Sequence, residues 1–301
     1  MKRVDIKVGF SCNNRCKFCV QGNKRKQYDD RETSEVKRIL KEAQDDHEGV
    51  VFTGGEATLR DDLPELVQYA NDLTFQTIQI QSNGRRFAYK GYCKELIDSG
   101  ANQFALALHG SNSEIHDSLT NTPNSFEQTV AGIKNLIDMN QDVLMNTVIT
   151  KPNFKDLPNI ADLFIDLEVE QFQFAFIHIN QVIMSNQRLI EEIVPRKSKV
   201  MPFVKEGLEK GINAGIRVMT EAIPFCFMEG YEDYIAEAGK IPNGSVYDKG
   251  ENIKDYSNYR KTEGKKKADK CKKCKYYDVC EGPWKEYPQI FGWEEFTPVL
   301  E

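Results

Sequence analysis

Short apolar strands alternate with amphipathic helices through the first 215 residues of this 301-residue chain. Six strands are predicted, near residues 4–10, 50–53, 78–81, 104–109, 143–149 and 172–179. Apolar residues at helical spacing follow each strand, as Val36, Ile39 and Leu40 do after the first. Strands separated by helices of this length pair in parallel through right-handed crossovers. The alternation therefore predicts an α/β fold, either a barrel, a partial barrel or an open doubly wound sheet.

Two of the predicted helices begin at polar residues with the spacing of a capping box, Asp62 with Glu65 and Ser125 with Gln128. After Gly215 the alternation ends, and Gly, Pro, Asn and Tyr become frequent. We therefore expect a first domain over 1–219 and a smaller second domain over 220–301.

Composition excludes several classes of protein. No stretch approaches the roughly 18 consecutive apolar residues of a membrane helix. The N-terminus mixes charged with apolar residues and lacks a secretory signal, so we expect a cytoplasmic protein. A formal net charge of -6 argues against a general nucleic-acid binder, which needs Lys and Arg to neutralise phosphates.

Three of the eight cysteines, Cys12, Cys16 and Cys19, lie on a loop directly after the first predicted strand. Without a secretion signal, so tight a group indicates metal binding rather than disulfides. Three thiolates suit a four-iron, four-sulfur (4Fe–4S) cluster, because each binds one iron and the fourth iron stays open for chemistry. The alternative is a zinc ion with a fourth ligand from elsewhere.

Polar residues also follow the later strands, at the ends where a parallel α/β fold binds its ligands. They are Gly54-Gly55-Glu56, Ser82-Asn83-Gly84, His109-Gly110 and His178, with Asn146 inside the fifth strand. Because these ends share one face of the fold, we expect the segments to converge around the first cysteines. Each histidine has a structural alternative, as a buried residue without a ligand role.

The CxxxCxxC spacing of Cys12, Cys16 and Cys19, with a GGE segment after the second strand, resembles the radical S-adenosylmethionine (SAM) superfamily. The resemblance covers about the first 215 residues. It implies a partial (β/α)6 barrel in which the amino and carboxylate groups of SAM chelate the open iron. It also implies reductive cleavage of SAM to methionine and a 5′-deoxyadenosyl radical, which takes a hydrogen atom from the substrate.

The resemblance also assigns roles to single residues. It places Phe18 near the adenine and Asn146 near the ribose or carboxylate of SAM. It assigns binding of the methionine ammonium to the segment Gly54, Gly55 and Glu56, and further SAM contacts to Ser82 and Asn83.

A second cysteine group, Cys271, Cys274 and Cys280, resembles the core of the SPASM/twitch domains that bind auxiliary iron–sulfur clusters. A full SPASM domain has a further cysteine where this chain has Trp284, so one auxiliary 4Fe–4S cluster is expected rather than two. Cys226 is well placed to supply its fourth thiolate. A structural zinc site, or a Cys226 thiol that returns a hydrogen atom to a substrate radical, are the alternatives.

The resemblance leaves the substrate open between a peptide and a small cofactor precursor. No leader-binding or cobalamin-binding domain is expected, which argues against cobalamin-dependent methylation. A reducing partner such as a flavodoxin or ferredoxin is implied. The basic stretch 260–275 is interpreted as a solvated run beside the cysteines, with an acidic partner or substrate as the alternative. A non-catalytic iron–sulfur protein for electron transfer or scaffolding is the rival hypothesis.

Overall fold

The computed structural model describes residues 2–300 and contains one nine-stranded sheet. Its strands are β1 (Lys2–Gly9), β2 (Gly49–Gly54), β3 (Thr77–Ser82), β4 (Gln103–Ala107), β5 (Asp142–Ile149), β6 (Gln171–Phe176), β7 (Arg217–Glu221), β8 (Asn243–Tyr247) and β9 (Asn252–Ile253). From β1 to β7 each strand pairs in parallel with the next, and β8 lies parallel to β1 on its other side. The order β7-β6-β5-β4-β3-β2-β1-β8-β9 is open-ended within these residues. The predicted α/β class with a partial barrel is confirmed.

Twelve helices accompany the strands in the described part of the chain. They are α1 (Lys24–Gln27), α2 (Thr33–Ala43), α3 (Leu63–Asp72), α4 (Lys90–Asp98), α5 (Ser113–Thr120), α6 (Ser125–Asp138), α7 (Leu157–Asp166), α8 (Gln181–Met184), α9 (Gln187–Ile193), α10 (Lys197–Asn213), α11 (Tyr256–Tyr259) and α12 (Tyr287–Phe291). Within residues 2–300, none of them has the length and apolar character needed to cross a membrane.

The outer face of the sheet forms the apolar core with the helices. In β1, the side chains of Val4, Ile6 and Val8 are fully buried. Burying each such side chain stabilises the fold by about 1.5–3 kcal/mol. Helix α10 approaches β6 so closely that a Cβ on Gly211 would lie 2.6 Å from the Phe172 ring. Glycine at this position allows the helix to pack directly on the strand.

The inner face of the sheet is polar, because alternate residues of each strand point to opposite sides. By strand register it carries Arg3, Asp5, Lys7, Thr53, Gln79, Gln81, Gln103, Asn146, Gln171, Gln173 and Glu221. Closed barrels usually fill this space with branched apolar side chains. Here amides and charges share the inner face with a few apolar side chains such as Val51 and Leu144, so the interior offers hydrogen-bonding groups beneath the carboxyl ends of the strands.

The six-strand count was too low, since β7 and β8 extend the parallel sheet to eight strands. Strand β7 has only five residues and begins and ends with a charge, so its apolar pattern is weak. Strands β8 and β9 come from the region assigned to the second domain, yet β8 pairs with β1 along five residues. The division into 1–219 and 220–301 remains a prediction, with part of the second region built into the barrel sheet.

Both predicted capping pairs were wrong. Asp62 does precede α3, but its carboxylate accepts hydrogen bonds from the side chains of Thr33 (2.5 Å) and Arg60 (2.6 Å) instead of capping the helix. At α6 the capping position belongs to Asn124, and the Ser125 hydroxyl donates to the Asp117 carboxylate at 2.7 Å. In each case a distant partner competes successfully with the local backbone. Helix α5, which contains Asp117, was not predicted.

Candidate cofactor and iron–sulfur sites

The first cysteine loop is fixed to the barrel on two sides. At its start, the carboxylate of Asp30 accepts hydrogen bonds from the backbone N–H groups of Phe10 (2.6 Å) and Ser11 (3.1 Å). Further along, the N–H groups of Arg15 and Lys17 donate to the last two carbonyls of α5, at 2.9 and 3.1 Å. The loop therefore holds its three thiols at the carboxyl end of β1 without help from a ligand.

The three thiols of this loop are free and close enough to influence one another. Burial, together with negative charge on Cys19 and Cys12, raises the pKa of Cys16 to about 12. Burial also raises the pKa of Cys12, which the guanidinium of Arg25 opposes. Three partly buried thiolates in one place need a cationic partner. A 4Fe–4S cluster fits this donor set, because its irons prefer thiolate ligands.

A single metal ion needs ligands that converge on one point. Within residues 2–300, no three His, Cys, Asp or Glu side chains converge closely enough to hold one ion between them. A cluster does not need such convergence, because each thiolate binds a different iron.

The GGE segment lies directly against the start of the cysteine loop. The N–H of Gly55 donates to the Gly9 carbonyl and that of Glu56 to the Ser11 carbonyl, both at 2.8 Å. A Cβ on Gly55 would lie 2.3 Å from the Ser11 oxygen, and Gly54 has a φ of 133° that other residues avoid. The two glycines therefore permit a backbone contact that sets the position of the loop.

Glu56 is buried and its carboxylate is fully engaged. One oxygen accepts from the hydroxyls of Thr58 and Ser82, both at 2.7 Å, and from the Thr58 N–H at 3.2 Å. The other accepts from the Asn83 N–H at 2.7 Å. Burial raises the pKa of Glu56, and these hydrogen bonds oppose the rise. Glu56 thus ties the end of β2 to the end of β3.

The side chain of Asn83 reaches the cysteine loop. Its amide nitrogen donates to the Asn13 side-chain oxygen at 2.7 Å and lies 3.9 Å from the Cys12 sulfur. Arg85 supports the same loop, donating to the Asn13 carbonyl at 2.6 Å and to the Asn14 side chain at 2.8 Å. Sequence reasoning missed Asn13 and Arg85. Only their positions in the sequence mark them, because Asn13 lies between Cys12 and Cys16 and Arg85 lies just after the Ser82-Asn83-Gly84 segment.

Phe18 is buried with its ring edge-to-face against His109, at 4.7 Å between ring centroids. The His109 ring stacks in turn on the His116 ring at 5.7 Å between centroids, and the backbone N–H of His109 donates to the His116 Nδ1 at 3.0 Å. Burial lowers the pKa of His116 to about 4 and that of His109 well below its usual range. Both rings are therefore neutral at pH 7 and act as structural support behind Phe18.

Asn146 lies on the inner face of the sheet, apart from the Glu56 group. Its side-chain oxygen accepts from the Gln173 amide at 2.9 Å, and the same amide reaches Glu221 at 3.2 Å. The structure thus joins Glu56, Ser82 and Asn83 to the cysteine loop by hydrogen bonds, while Asn146 belongs to a separate polar row.

The second cysteine group brings together residues far apart in sequence. Burial, together with negative charge on Cys280, Cys271 and Cys274, raises the pKa of Cys226 to about 12. The Phe225 ring stacks on Tyr276 at 4.6 Å, which fixes the turn of Cys226 against the later segment. All four thiols are free. Four neighbouring thiolates again fit an iron–sulfur cluster, here with no iron left open.

A buried ion network adjoins this second group. Arg260 donates two hydrogen bonds to the Glu281 carboxylate, at 2.9 and 3.0 Å, and Lys265 contacts Glu281 at 2.9 Å and Glu237 at 2.6 Å. The interpretation of 260–275 as a solvated run was therefore wrong for Arg260 and Lys265. Their partners lie 16 to 28 residues away, so no local pattern marks the pair as buried.

Trp284 packs the later region against the carboxyl end of β6. Its ring stacks on His178 at 4.2 Å between centroids and an angle of 3°. Burial, together with the charges of Lys7, Lys265 and Lys285, lowers the pKa of His178 to about 4. His178 is thus a neutral ring at the carboxyl end of β6.

An open parallel barrel with a three-thiol loop at its carboxyl edge defines a class of cofactor-dependent iron–sulfur enzymes. The model of the radical SAM superfamily matches residues 6–164, more than half of the chain. The chain therefore belongs to the radical SAM superfamily, and membership implies a 4Fe–4S cluster and SAM.

Individual relatives are more distant. The chain is 28% identical over 159 residues to an AdoMet-dependent heme synthase of Oleidesulfovibrio alaskensis, a match that covers 52% of this chain and 40% of the synthase. It spans less than half the length of that protein.

Two solved structures share the fold. Streptococcus suis SuiB bound to S-adenosylmethionine gives a TM-score of 0.68 at 15% identity, covering 99% of this chain and 76% of SuiB. Native anSMEcpe with bound AdoMet and Cp18Cys peptide gives 0.66 at 14% identity, covering 99% and 92%. At these identities the likeness concerns the fold.

Proposed function

We propose that this protein cleaves SAM reductively and uses the resulting radical to remove a hydrogen atom from a peptide or a small cofactor precursor. The observation that carries the proposal is the hydrogen-bonded junction of the thiol loop with Gly55, Glu56 and Asn83. It places polar groups from the ends of β2 and β3 beside three free thiols.

In this proposal Cys12, Cys16 and Cys19 hold the first cluster. SAM contacts come from Phe18, Gly54, Gly55, Glu56, Ser82, Asn83 and Asn146. When bound, the cluster and SAM supply one-electron cleavage of a carbon–sulfur bond and a carbon radical. The chain's own part is to orient SAM: Asn83 presents an amide beside Cys12, and Phe18 presents a buried ring held in place by His109.

The substrate is assigned to the inner face of the sheet. At its carboxyl end, Lys7, Thr53 and Gln81 occupy neighbouring strands, and the Thr53 hydroxyl donates to Gln81 at 2.8 Å. Small side chains in the adjacent strand β4 (Ala105 and Ala107) leave room beside Gln81. Such a lining favours a substrate rich in hydrogen-bonding groups over an apolar one.

An auxiliary cluster bound by Cys226, Cys271, Cys274 and Cys280 completes the proposal, within a SPASM/twitch-like domain over 220–301. The mutual electrostatic influence of the four thiols supports it. Full cysteine ligation suits electron transfer or structural support, because no iron remains for substrate. Because all eight cysteines are free thiols, we assign the protein to the reducing cytoplasm.

The test is anaerobic reconstitution, followed by iron and sulfide analysis and an assay of 5′-deoxyadenosine with SAM and dithionite. For the wild type we expect about eight irons per chain and formation of 5′-deoxyadenosine. Changing Cys12, Cys16 and Cys19 together to Ala should leave about four irons and no product. Cys93→Ala is the matched control, since its thiol is buried in the apolar core and donates a hydrogen bond to the Phe87 carbonyl at 3.1 Å.

A Cys226→Ser variant tests the auxiliary cluster separately. It should lower the iron content to about four per chain while SAM cleavage by the first cluster persists. Iron without any SAM cleavage in the wild type would favour the rival, a non-catalytic iron–sulfur protein. Zinc without iron would refute both.

A further inference from the structure

The outward side of the first cysteine loop is unusually basic. Between Cys12 and Tyr28 the chain contains Arg15, Lys17, Lys24, Arg25 and Lys26 and no Asp or Glu. We call these five residues the cysteine-loop surface. The whole chain has a net charge of -6, so this surface stands out against an acidic protein.

Two of the five cations are paired with carboxylates. Lys17 contacts Glu192 at 2.7 Å, and Lys24 contacts Asp248 at 2.5 Å. Arg15 and Lys26 are exposed and have no carboxylate partner within residues 2–300. The surface therefore keeps a net positive charge after its internal ion pairs are formed.

A groove of about 160 Å³ opens on this surface, and two cluster-binding cysteines line it. Cys16 and Cys19 share its wall with Arg15, Lys17 and Arg25. Nearby, Val20 is 55% exposed and adds an apolar contact beside the charges. A protein seated here would approach the first cluster from outside, through the residues that bind it.

We propose that the cysteine-loop surface docks an acidic one-electron carrier protein, which delivers the electron for SAM cleavage. This inference rests on the proposed function, because only a redox cluster at Cys12, Cys16 and Cys19 needs an electron. Complementary charge accelerates association of a positive surface with an acidic partner. A small contact suffices, since electron-transfer complexes bury little area.

A second basic surface is the alternative docking site for the electron carrier. Lys266, Lys267, Lys273 and Lys275 are exposed near the second cysteine group. An electron entering there would reach the auxiliary cysteines first. The cysteine-loop surface is favoured because its groove is lined by the thiols of the cluster that reacts with SAM.

The experiment compares matched double charge reversals, Arg15→Glu with Lys26→Glu and Lys266→Glu with Lys273→Glu. Each reconstituted protein is mixed anaerobically with photoreduced flavodoxin, an acidic carrier, and cluster reduction is followed by optical absorption and electron paramagnetic resonance. We expect the first variant to be reduced at least tenfold more slowly at low salt, with a flatter salt dependence. The second variant should stay within twofold of the wild type.

Dithionite, a small reductant that needs no docking surface, separates the possible failures. It should reduce both variants and the wild type equally. Equal slowing of the two variants by flavodoxin, greater slowing of the lysine variant, or no slowing would overturn the docking site. If dithionite fails to support SAM cleavage in the wild type, the proposed function is wrong and the docking inference falls with it. The neutral variant Arg15→Gln with Lys26→Gln should show a smaller slowing than the charge reversal, which guards against misfolding as the cause.

Discussion

The two cysteine groups differ in how the chain surrounds them. The first takes three thiols from one short loop and sits beside the amides of Asn13 and Asn83, with Arg25 and Arg85 donating to carbonyls of the same loop. The second joins Cys226 to three thiols some fifty residues later and sits beside the buried Arg260–Glu281 pair. The first site is local and its cations contact backbone oxygens, whereas the second is assembled across the fold beside a buried ion pair.

In the proposed function this difference corresponds to two kinds of iron–sulfur chemistry. Three thiolates would leave an iron open, and nearby amide groups can exchange one hydrogen-bond partner for another. Four thiolates would close the cluster, and a buried ion network cannot release its members without a large penalty. The contrast therefore supports the proposal of a first site that binds a ligand and a second that remains unchanged.

The largest expected effect comes from breaking the buried ion pair beside the second cysteine group. Arg260→Met removes both Arg260 hydrogen bonds from the Glu281 carboxylate and leaves Lys265 as its ion-pair partner, in a place where the Arg260 and Glu281 side chains are at most 3% exposed. Removing one partner of a buried pair costs about 3–5 kcal/mol. We expect this loss in the free energy of unfolding, measured by denaturant titration. Arg217→Met is the control, because its pair with Glu170 is solvent-exposed and should cost less than about 1 kcal/mol. Equal losses would mean that the network is not structural.

A smaller effect is expected at the first site from Gly55→Ala. The new methyl group would lie 2.3 Å from the Ser11 carbonyl and 2.5 Å from that of Phe10, so the loop backbone must move. Misplacement by about 1 Å costs about 100-fold in rate. We expect a comparable loss of 5′-deoxyadenosine formation, with full iron content at the second site. Gly91→Ala is the matched control, because nothing lies within 4 Å of its added methyl. Normal activity in Gly55→Ala would show that the segment does not position the loop.

Much of the fold could be predicted, because local periodicity determines it. Six strands and their helices follow from apolar spacing within each segment. Strand β8 could not be found this way, because its partner β1 lies some 240 residues earlier and its first residues, Asn243-Gly244, resemble a turn. The capping errors at Asp62 and Ser125 have the same origin, since distant side chains compete for each cap.

The site was predictable to the extent that it depends on motif spacing. The cysteines and the Glu56 segment are recognised by their spacing after strands. The support of the loop by Arg85 and the burial of Lys265 depend on how side chains fold back on remote backbone or acidic groups. Sequence reasoning therefore identifies ligands more readily than the residues that position them.

Acid should affect the support of the first site through His116. Its folded-state pKa of about 4 lies below the unfolded value near 6.5, so the unfolded chain binds more protons between these values. His116 thus contributes its full stability above pH 6.5, and that contribution falls as the pH drops toward 4. Between pH 7 and 5 the loss is about 2 kcal/mol. A His116→Gln variant should lose less stability than the wild type over this interval, measured by denaturant titration at each pH. If the free energy of unfolding falls equally with pH in the two proteins, His116 is not the cause of the loss.

The smallest expected effect concerns the charge beside the first cluster. Arg25 donates to the Asn14 carbonyl at 2.6 Å, and its charge stabilises the thiolates of Cys12 and Cys16. A nearby cation favours the reduced, more negative state of a cluster, because net charge and hydrogen bonding set its potential. We expect Arg25→Gln to weaken reduction by about tenfold, a midpoint shift of about 59 mV to lower potential for one electron. The measurement is a mediated redox titration without SAM or donor protein, so it is independent of docking and activity. Lys26→Gln, an exposed neighbour with no contact to the thiols, should leave the potential nearly unchanged. An equal shift in both variants would indicate a general effect of surface charge. The second cluster should keep its potential in each variant, because Arg25 lies on the first loop.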